Sequence, residues 1–362
     1  MDHGILLRKL EVMGVKSVDW FRSYLSGRRQ CVRVDGFVSD FLEVNCGVPQ
    51  GSILGPILFL CYVNDMSVSL GCHLSLYADD STLIASGNYA GALGDYLSGQ
   101  LACCKRWMTD NRLSLHLGKT ECILIGSKRR LREAGDFRVS CDGLDVKRVE
   151  TVRYLGVTLD QHLDGQAQAR GVIKKVASRL GFLYRAACFL NRDTRRVLCN
   201  ALVQPCLDYC IVSWYLGLSV TLKGRLDVLQ RKMARFVLGL GPRAHIGTGD
   251  LRELGWLTVM DRVRYFSLLH VFRVNKGCGP SYLKGGFTHV RDVHGYETRA
   301  SALGYHISGD DISGTFGHFG KKEWNAIPGR LRTLGNIDAF KVKLKEYMME
   351  GYWFLSLAVC EL

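Results

Sequence analysis

The chain has 362 residues, 47% of them hydrophobic and 23% charged, the balance of an ordinary globular protein with room for two or three domains. Its net charge of +14 is unevenly placed: residues 166–362 carry 29 Lys and Arg against 15 Asp and Glu, whereas residues 1–165 carry 19 of each. Fourteen cysteines with neither a signal-peptide pattern nor a C-x-x-C pair, and no cysteine pair near His289 and His294, speak against a secreted disulfide scaffold and against a structural zinc site.

Apolar residues at Ile5, Leu6, Leu10 and Met13 predict a helix over 4–13 stopped by Gly14, and a second helix spans Val18 to Leu25. Cys31–Val34, an Asp35-Gly36 turn and Val38–Val44 predict a hairpin. The run Gly47-Val48-Pro49-Gln50-Gly51-Ser52-Ile53-Leu54-Gly55-Pro56 follows. Its glycines are expected to leave amides open to a phosphate or sugar, and Gln50 combines donor and acceptor. A plain turn before a core helix is the alternative, because Ile57–Val63 reads as a buried helix too short to span a bilayer.

Between strands at Leu74–Leu76 and Thr82–Ala85 lies Tyr77-Ala78-Asp79-Asp80. Adjacent side chains of a regular strand point to opposite faces, so a tight turn is needed to bring both carboxylates to one point. Such oxygens suit a divalent cation; a solvated acidic turn is the other reading.

Leu93, Leu97, Leu101 and Trp107 share one face of a helix over 92–108. Leu113–Leu117 alternates as a strand, turns at Gly118 beside Lys119, and returns over Glu121–Ile125; the basic run Lys128–Arg132 reads as a loop. Phe137–Cys141 and Leu144–Val146 pair around Asp142-Gly143, and Val152–Leu159 reads as one strand whose internal Gly156 marks close approach of another backbone.

Helices over Ala169–Leu190, Arg195–Val203 and Thr221–Leu240 follow, the last stopped by Gly241-Pro242. Lys174, Lys175, Arg179, Arg185, Lys223, Arg225, Arg231, Lys232 and Arg235 give the first and last of them basic outer faces, suited to a phosphate backbone or simply to solvent. After a helix over 261–272, the aromatics Phe316, Phe319, Trp324 and Phe340 read as core, with stacking on RNA beside Lys321, Lys322, Lys341, Lys343 and Lys345 as the alternative. The Tyr352–Leu355 patch is too short to cross a membrane.

Gly47–Pro56, Tyr77–Asp80, Lys119-Thr120-Glu121 and Tyr154-Leu155-Gly156 fall in the order and spacing of reverse transcriptase motifs B, C, D and E. Over nearly its whole length the chain resembles the polymerases of non-LTR (LINE-type) retrotransposons, in the Jockey-like and chicken-repeat-like group. The resemblance implies an α+β fold: a palm over 1–160 with an antiparallel sheet packed on helices, a helical thumb over 161–242 and a C-terminal region over 243–362. It implies RNA-directed DNA synthesis with Mg²⁺ or Mn²⁺ at Asp79 and Asp80. Gln50, Gly51, Ser52 and Tyr77 then line the nucleotide pocket, Lys119 protonates the departing pyrophosphate, and Tyr154, Leu155 and Gly156 support the primer.

The implied partners are an RNA template, a DNA primer and a dNTP, met inside the cell, in nucleus or cytoplasm, with no membrane. Asp2-His3 resembles the end of the family's Ala-Phe-Asp-x-Val-Asp-His run, which puts the motif A aspartate and the fingers upstream of Met1. The sequence therefore also admits a catalytically inactive nucleic-acid-binding remnant, in which Asp79 and Asp80 supply one side of a two-metal centre.

Overall fold

The computed structural model describes residues 1–293, 303–309 and 311–351; His294 and the Tyr352–Leu355 patch lie outside the described residues. The chain forms two compact units, Met1–Glu150 and Thr151–Leu362, each mixing helices with short strand pairs in an α+β arrangement.

The first unit opens with α1 (His3–Val12) and α2 (Val18–Leu25). Asp2 starts α1 by accepting a hydrogen bond from the Ile5 N–H at 2.9 Å. Leu6, Leu7 and Leu10 bury its inner face, while Met13 stays exposed. An exposed arm follows, in which β1 (Arg29–Gln30) and β2 (Arg33–Val34) pair with β4 (Leu42–Glu43) and β3 (Phe37–Val38) respectively. Asp35 and Gly36, at φ 48° and 89°, form the tight turn that matches strand twist.

Next come α3 (Leu54–Val63), the hairpin of β5 (His73–Tyr77) and β6 (Asp80–Ile84), and α4 (Ala90–Asp110). Leu58, Tyr62, Cys104 and Trp107 close a core with α1 and α2, and Leu74, Leu76 and Leu83 lay the hairpin against it. Lys9 reaches into that core. Its ammonium donates to the Tyr62 carbonyl and to Asp65, each at 2.7 Å, and lies over the Tyr62 and Trp107 rings, so the charge is compensated.

The predicted strand at Leu113–Leu117 is not formed. Its side chains alternate between half-buried and exposed, but no strand pairs with it, and a 3₁₀ turn over Leu117–Lys119 follows. β7 (Glu121–Cys122) pairs in parallel with β10 (Lys147–Arg148), α5 (Lys128–Glu133) takes up the basic run, and β8 (Ser140–Cys141) pairs with β9 (Leu144–Asp145). Among the described residues the expected antiparallel sheet is therefore split into separate pairs, one of them parallel; most of these strands are two residues long, too short to carry a wider ladder.

The second unit starts with the hairpin of β11 (Thr151–Tyr154) and β12 (Val157–Asp160), then α6 (Gln166–Arg185) and α7 (Arg192–Leu198). A π-helical turn, Cys199–Val203, leads into α8 (Gln204–Asp208), α9 (Ile211–Trp214) and α10 (Val220–Leu238). Val172, Val176 and Leu180 of α6 pack with Leu226, Met233 and Phe236 of α10. Gly239, at φ 67°, ends α10 two residues before the predicted stop, its N–H turned back to the Arg235 and Phe236 carbonyls.

α11 (Thr248–Glu253) and α12 (Val259–Asn275) follow, then α13 (Ser281–Lys284), α14 (Val290–Val293), α15 (Phe316–Ala326), α16 (Gly329–Arg332) and α17 (Ile337–Met349). Trp324, Phe340 and Phe272 form their core, with Phe272 stacked on Phe340 at 4.4 Å. These aromatics are core, and the neighbouring lysines are largely engaged. Lys321 is buried against Asp311 at 2.8 Å, while Lys341 and Lys343 pair with Asp338 and Glu346. Arg262 donates through Nε to Asp208 at 2.6 Å and grips its second oxygen with the other arm of the fork. Loss of one partner from so enclosed a pair costs about 3–5 kcal/mol. No helix among the described residues is long and apolar enough to cross a membrane.

Two glycines of α4 separate close packing from helix propensity. A Cβ on Gly94 would stand 2.3 Å from the Arg138 carbonyl oxygen, whereas one on Gly99 meets nothing within 4 Å. Gly94→Ala is expected to destabilise by about 1–3 kcal/mol, and Gly99→Ala to stabilise by about 0.5–1 kcal/mol. Urea denaturation of both variants checks this; equal effects would show that the Arg138 contact is not limiting.

Candidate active site and nucleic-acid face

The β5–β6 hairpin runs in strict register from His73 opposite Ile84 to Tyr77 opposite Asp80, leaving Ala78 and Asp79 as a two-residue loop. Ala78 takes a φ of 51°, a conformation that lets so short a loop reverse the chain. The leucine side of the hairpin is anchored on the first unit's core, and the tip projects away from it. Tyr77, Asp79 and Asp80 are all exposed. Among the described residues neither carboxylate accepts a hydrogen bond or meets a cation within ion-pair distance.

Asp2 has the opposite character. The Ile5 N–H, and after it the Arg112 guanidinium at 2.5 Å, hold its carboxyl below the usual carboxylate range, against the opposing effect of burial. Tyr62 ties this corner down, donating to the Asn111 carbonyl at 2.5 Å and accepting from the Asp2 N–H at 3.2 Å. Asp2 is thus spent on a helix start. Among the described residues no three His, Cys, Asp or Glu side chains gather closely enough to hold a metal ion.

The glycine-rich loop differs from expectation. The Gly47 N–H donates to the Met1 carbonyl at 2.7 Å, and the Gly55 N–H to Ser52 Oγ at 3.0 Å. Of the three glycines, Gly51, at φ 79° in the turn closed by Ser52 N–H on the Pro49 carbonyl, has an amide without such an acceptor among the described residues. Ser52 Oγ also donates to the Pro49 carbonyl at 2.8 Å, so this hydroxyl organises the entry to α3. Gln50 is exposed at the turn. Lys119 is exposed on its 3₁₀ turn. The structure brings Tyr77, Asp79 and Asp80 together at one tip. Gln50, Gly51 and Ser52 share a second loop, and among the described residues no hydrogen bond links either that loop or Lys119 to the carboxylates.

Tyr154, Leu155 and Gly156 belong to the second unit, and Gly156 does not lie inside a strand. Tyr154 pairs with Val157, so Leu155 and Gly156, at φ 45° and 82°, are a two-residue turn; successive left-handed residues cannot continue a ladder. What comes close is a side chain. Tyr209 Oη donates to the Leu155 carbonyl at 2.6 Å, and a Cβ at Gly156 would stand 3.3 Å from the Tyr209 ring. Tyr209 lies 54 residues from its partner and in no motif, so the sequence carried no signal for it.

On α6 and α10, Lys174, Lys175, Arg225, Arg231 and Lys232 are exposed and, among the described residues, have no carboxylate within ion-pair distance. Other members of the predicted basic face are engaged: Arg235 donates to the Ala244 carbonyl at 2.7 Å and Lys223 to Leu216 at 3.2 Å. Burial raises the Asp227 carboxyl, with the Arg231 guanidinium opposing it.

Residues 1–159 match the family described as reverse transcriptase (RNA-dependent DNA polymerase). A protein of the type-1 retrotransposable element R1DM of Drosophila melanogaster is 28% identical over 220 residues, 59% of this chain and 21% of that protein. The RNA-directed DNA polymerase from mobile element jockey of Drosophila funebris is 25% identical over 247 residues, 65% of this chain and 26% of that protein. The Retrovirus-related Pol polyprotein from type-1 retrotransposable element R1 2 of Nasonia vitripennis is 28% identical over 180 residues, 47% of this chain and 43% of that protein. The chain therefore spans less than half the length of each of these three relatives.

The Asp2 environment gives a signed pH dependence. A carboxyl depressed in the folded state contributes stability above its unfolded pKa and loses it as pH falls through the folded value. Asp2→Asn keeps an acceptor for the Ile5 N–H but removes the charge. The gap in melting temperature between the natural protein and this variant is expected at pH 6 and closes below about pH 4. A gap constant from pH 6 to pH 3 would contradict a contribution from the Asp2 charge.

Proposed function

We propose, from the match of residues 1–159 to the reverse transcriptase family, that the chain carries part of the nucleotidyl-transfer site of an RNA-directed DNA polymerase from a non-LTR retrotransposon. The reaction is attack of a primer 3′ hydroxyl on the α-phosphate of a dNTP, with pyrophosphate leaving in line. The observation that carries the reading is the β5–β6 tip, where two consecutive exposed carboxylates meet no protein cation among the described residues.

The donor set fits Mg²⁺, which is commonly held by one or two carboxylates and completes its shell with water and substrate phosphates. A divalent ion there supplies positive charge to the phosphate oxygens. Asp79 and Asp80 hold that charge at the tip. Gln50 and the open Gly51 amide are suited to the incoming nucleotide, Ser52 fixes their loop, and Tyr77 offers an exposed ring beside the carboxylates. Lys119 is the candidate acid for pyrophosphate. In the second unit, the Tyr154-Leu155-Gly156 turn supports the primer end, and the basic faces of α6 and α10 bind phosphates without reading sequence. On this reading the partners are an RNA template, a DNA primer and dNTP, and the chain works in the nucleus or cytoplasm.

Primer extension on an RNA template with Mg²⁺ or Mn²⁺ tests the proposal. Asp79→Asn is expected to lower extension on the order of 10²–10³-fold or more while leaving primer–template affinity intact. Extension that survives Asp79→Asn contradicts it. Tight, salt-dependent binding without extension by the unsubstituted protein favours the second reading, an inactive nucleic-acid-binding protein, to which the lack of a third acid among the described residues lends support.

A further inference from the structure

The outer face of α2 and the arm beyond it carry an exposed ladder of planar groups that the proposed polymerase site does not use. Trp20 and Tyr24, one helical turn apart, stack with centroids 5.6 Å apart and planes within 5° of parallel. Gly27, at φ 65°, turns the chain so that the Arg28 guanidinium lies over Tyr24 at 4.6 Å, its Nε donating to the Tyr24 carbonyl at 2.6 Å. Phe21, packed on the core, meets Trp20 edge-on at 5.1 Å and fixes the ladder from below. Next in the chain, Arg29 lies over Phe41 at 5.5 Å. Trp20 is 55% exposed and Phe41 56%.

Along α2 and the arm, residues 16–43 hold Lys16, Arg22, Arg28, Arg29 and Arg33 against Asp19, Asp35, Asp40 and Glu43, and Asp19 pairs with Arg22. Among the described residues Arg28, Arg29 and Arg33 meet no carboxylate, and Glu43, opposite Arg29 in the ladder of β1 and β4, is not within ion-pair distance. Closing the end of α2 accounts for the Arg28 bond to Tyr24. It does not account for the open Trp20 face, the Arg29–Phe41 pair or three unmatched guanidinium groups. The occupant must offer flat apolar faces and negative charge together.

We propose that this surface binds an unpaired nucleic-acid strand, its bases stacking on Trp20 and Phe41 and its phosphates meeting Arg28, Arg29 and Arg33. A duplex keeps its bases stacked on each other and cannot use the aromatic faces. The assignment stands whether or not Asp79 and Asp80 support synthesis.

The test is binding of the whole chain to a labelled oligouridine of roughly 12 nucleotides and to a blunt duplex of the same length, followed by fluorescence anisotropy. Trp20→Ala is expected to weaken single-strand binding about 5- to 100-fold and to leave duplex binding unchanged. Arg28→Lys, which keeps the charge and loses the plane, is expected to weaken the single strand as well. Phe41→Ala, on the exposed arm away from the core, decides the matter if Trp20→Ala alters the melting temperature. Equal losses on both ligands, or none on either, overturn the proposal. So does concentration-dependent self-association that Trp20→Ala abolishes.

Discussion

The account depends on a repulsion that the fold leaves unrelieved. Asp79 stands in the two-residue loop and Asp80 opens β6 opposite Tyr77, so two like charges, neighbours in sequence, share one exposed tip and repel each other. No cation of the chain, among the described residues, reaches them. The hairpin holds because Leu74, Leu76 and Leu83 fasten its other end to the core, and fully burying one such leucine stabilises by roughly 1.5–3 kcal/mol. The leucines are half-buried, so each contributes part of that. A pair of carboxylates kept apart from the chain's own arginines remains available to a cation from outside.

Several other acids are taken up by the fold. Asp2 is shared between a helix start and Arg112, Asp208 takes both arms of Arg262, and Asp311 accepts from a buried Lys321. These acids serve structure. The unmatched positive groups are likewise grouped, on the outer faces of α6 and α10 in one unit and along α2 and its arm in the other.

Local rules carried the sequence reading wherever a single element decided the outcome. The Val18–Leu25 helix has its predicted ends, the Asp35-Gly36 turn has the φ values that hairpin chemistry requires, and the Tyr77–Asp80 tip lies where the flanking strands placed it. Tertiary partners decided the rest. Leu113–Leu117 has the alternation of a strand and no strand beside it. Gly47 and Gly55 look open in sequence, yet the Met1 carbonyl and the Ser52 hydroxyl take their amides. Gly156 marks a close approach, but by Tyr209, through a contact 54 residues long that no periodicity encodes. Gly239 rather than Gly241 ends α10 because its left-handed conformation lets the last carbonyls find donors.

The most direct test of the central claim is where a paramagnetic ion binds. With Mn²⁺ added to the isotopically labelled protein, amide resonances of Tyr77–Ser81 are expected to broaden first, and Asp79→Asn is expected to remove that broadening without shifting the signals of α1 to α4. Broadening centred elsewhere, with the Tyr77–Ser81 amides untouched, would contradict the assignment of the hairpin tip as the metal-binding end of the site.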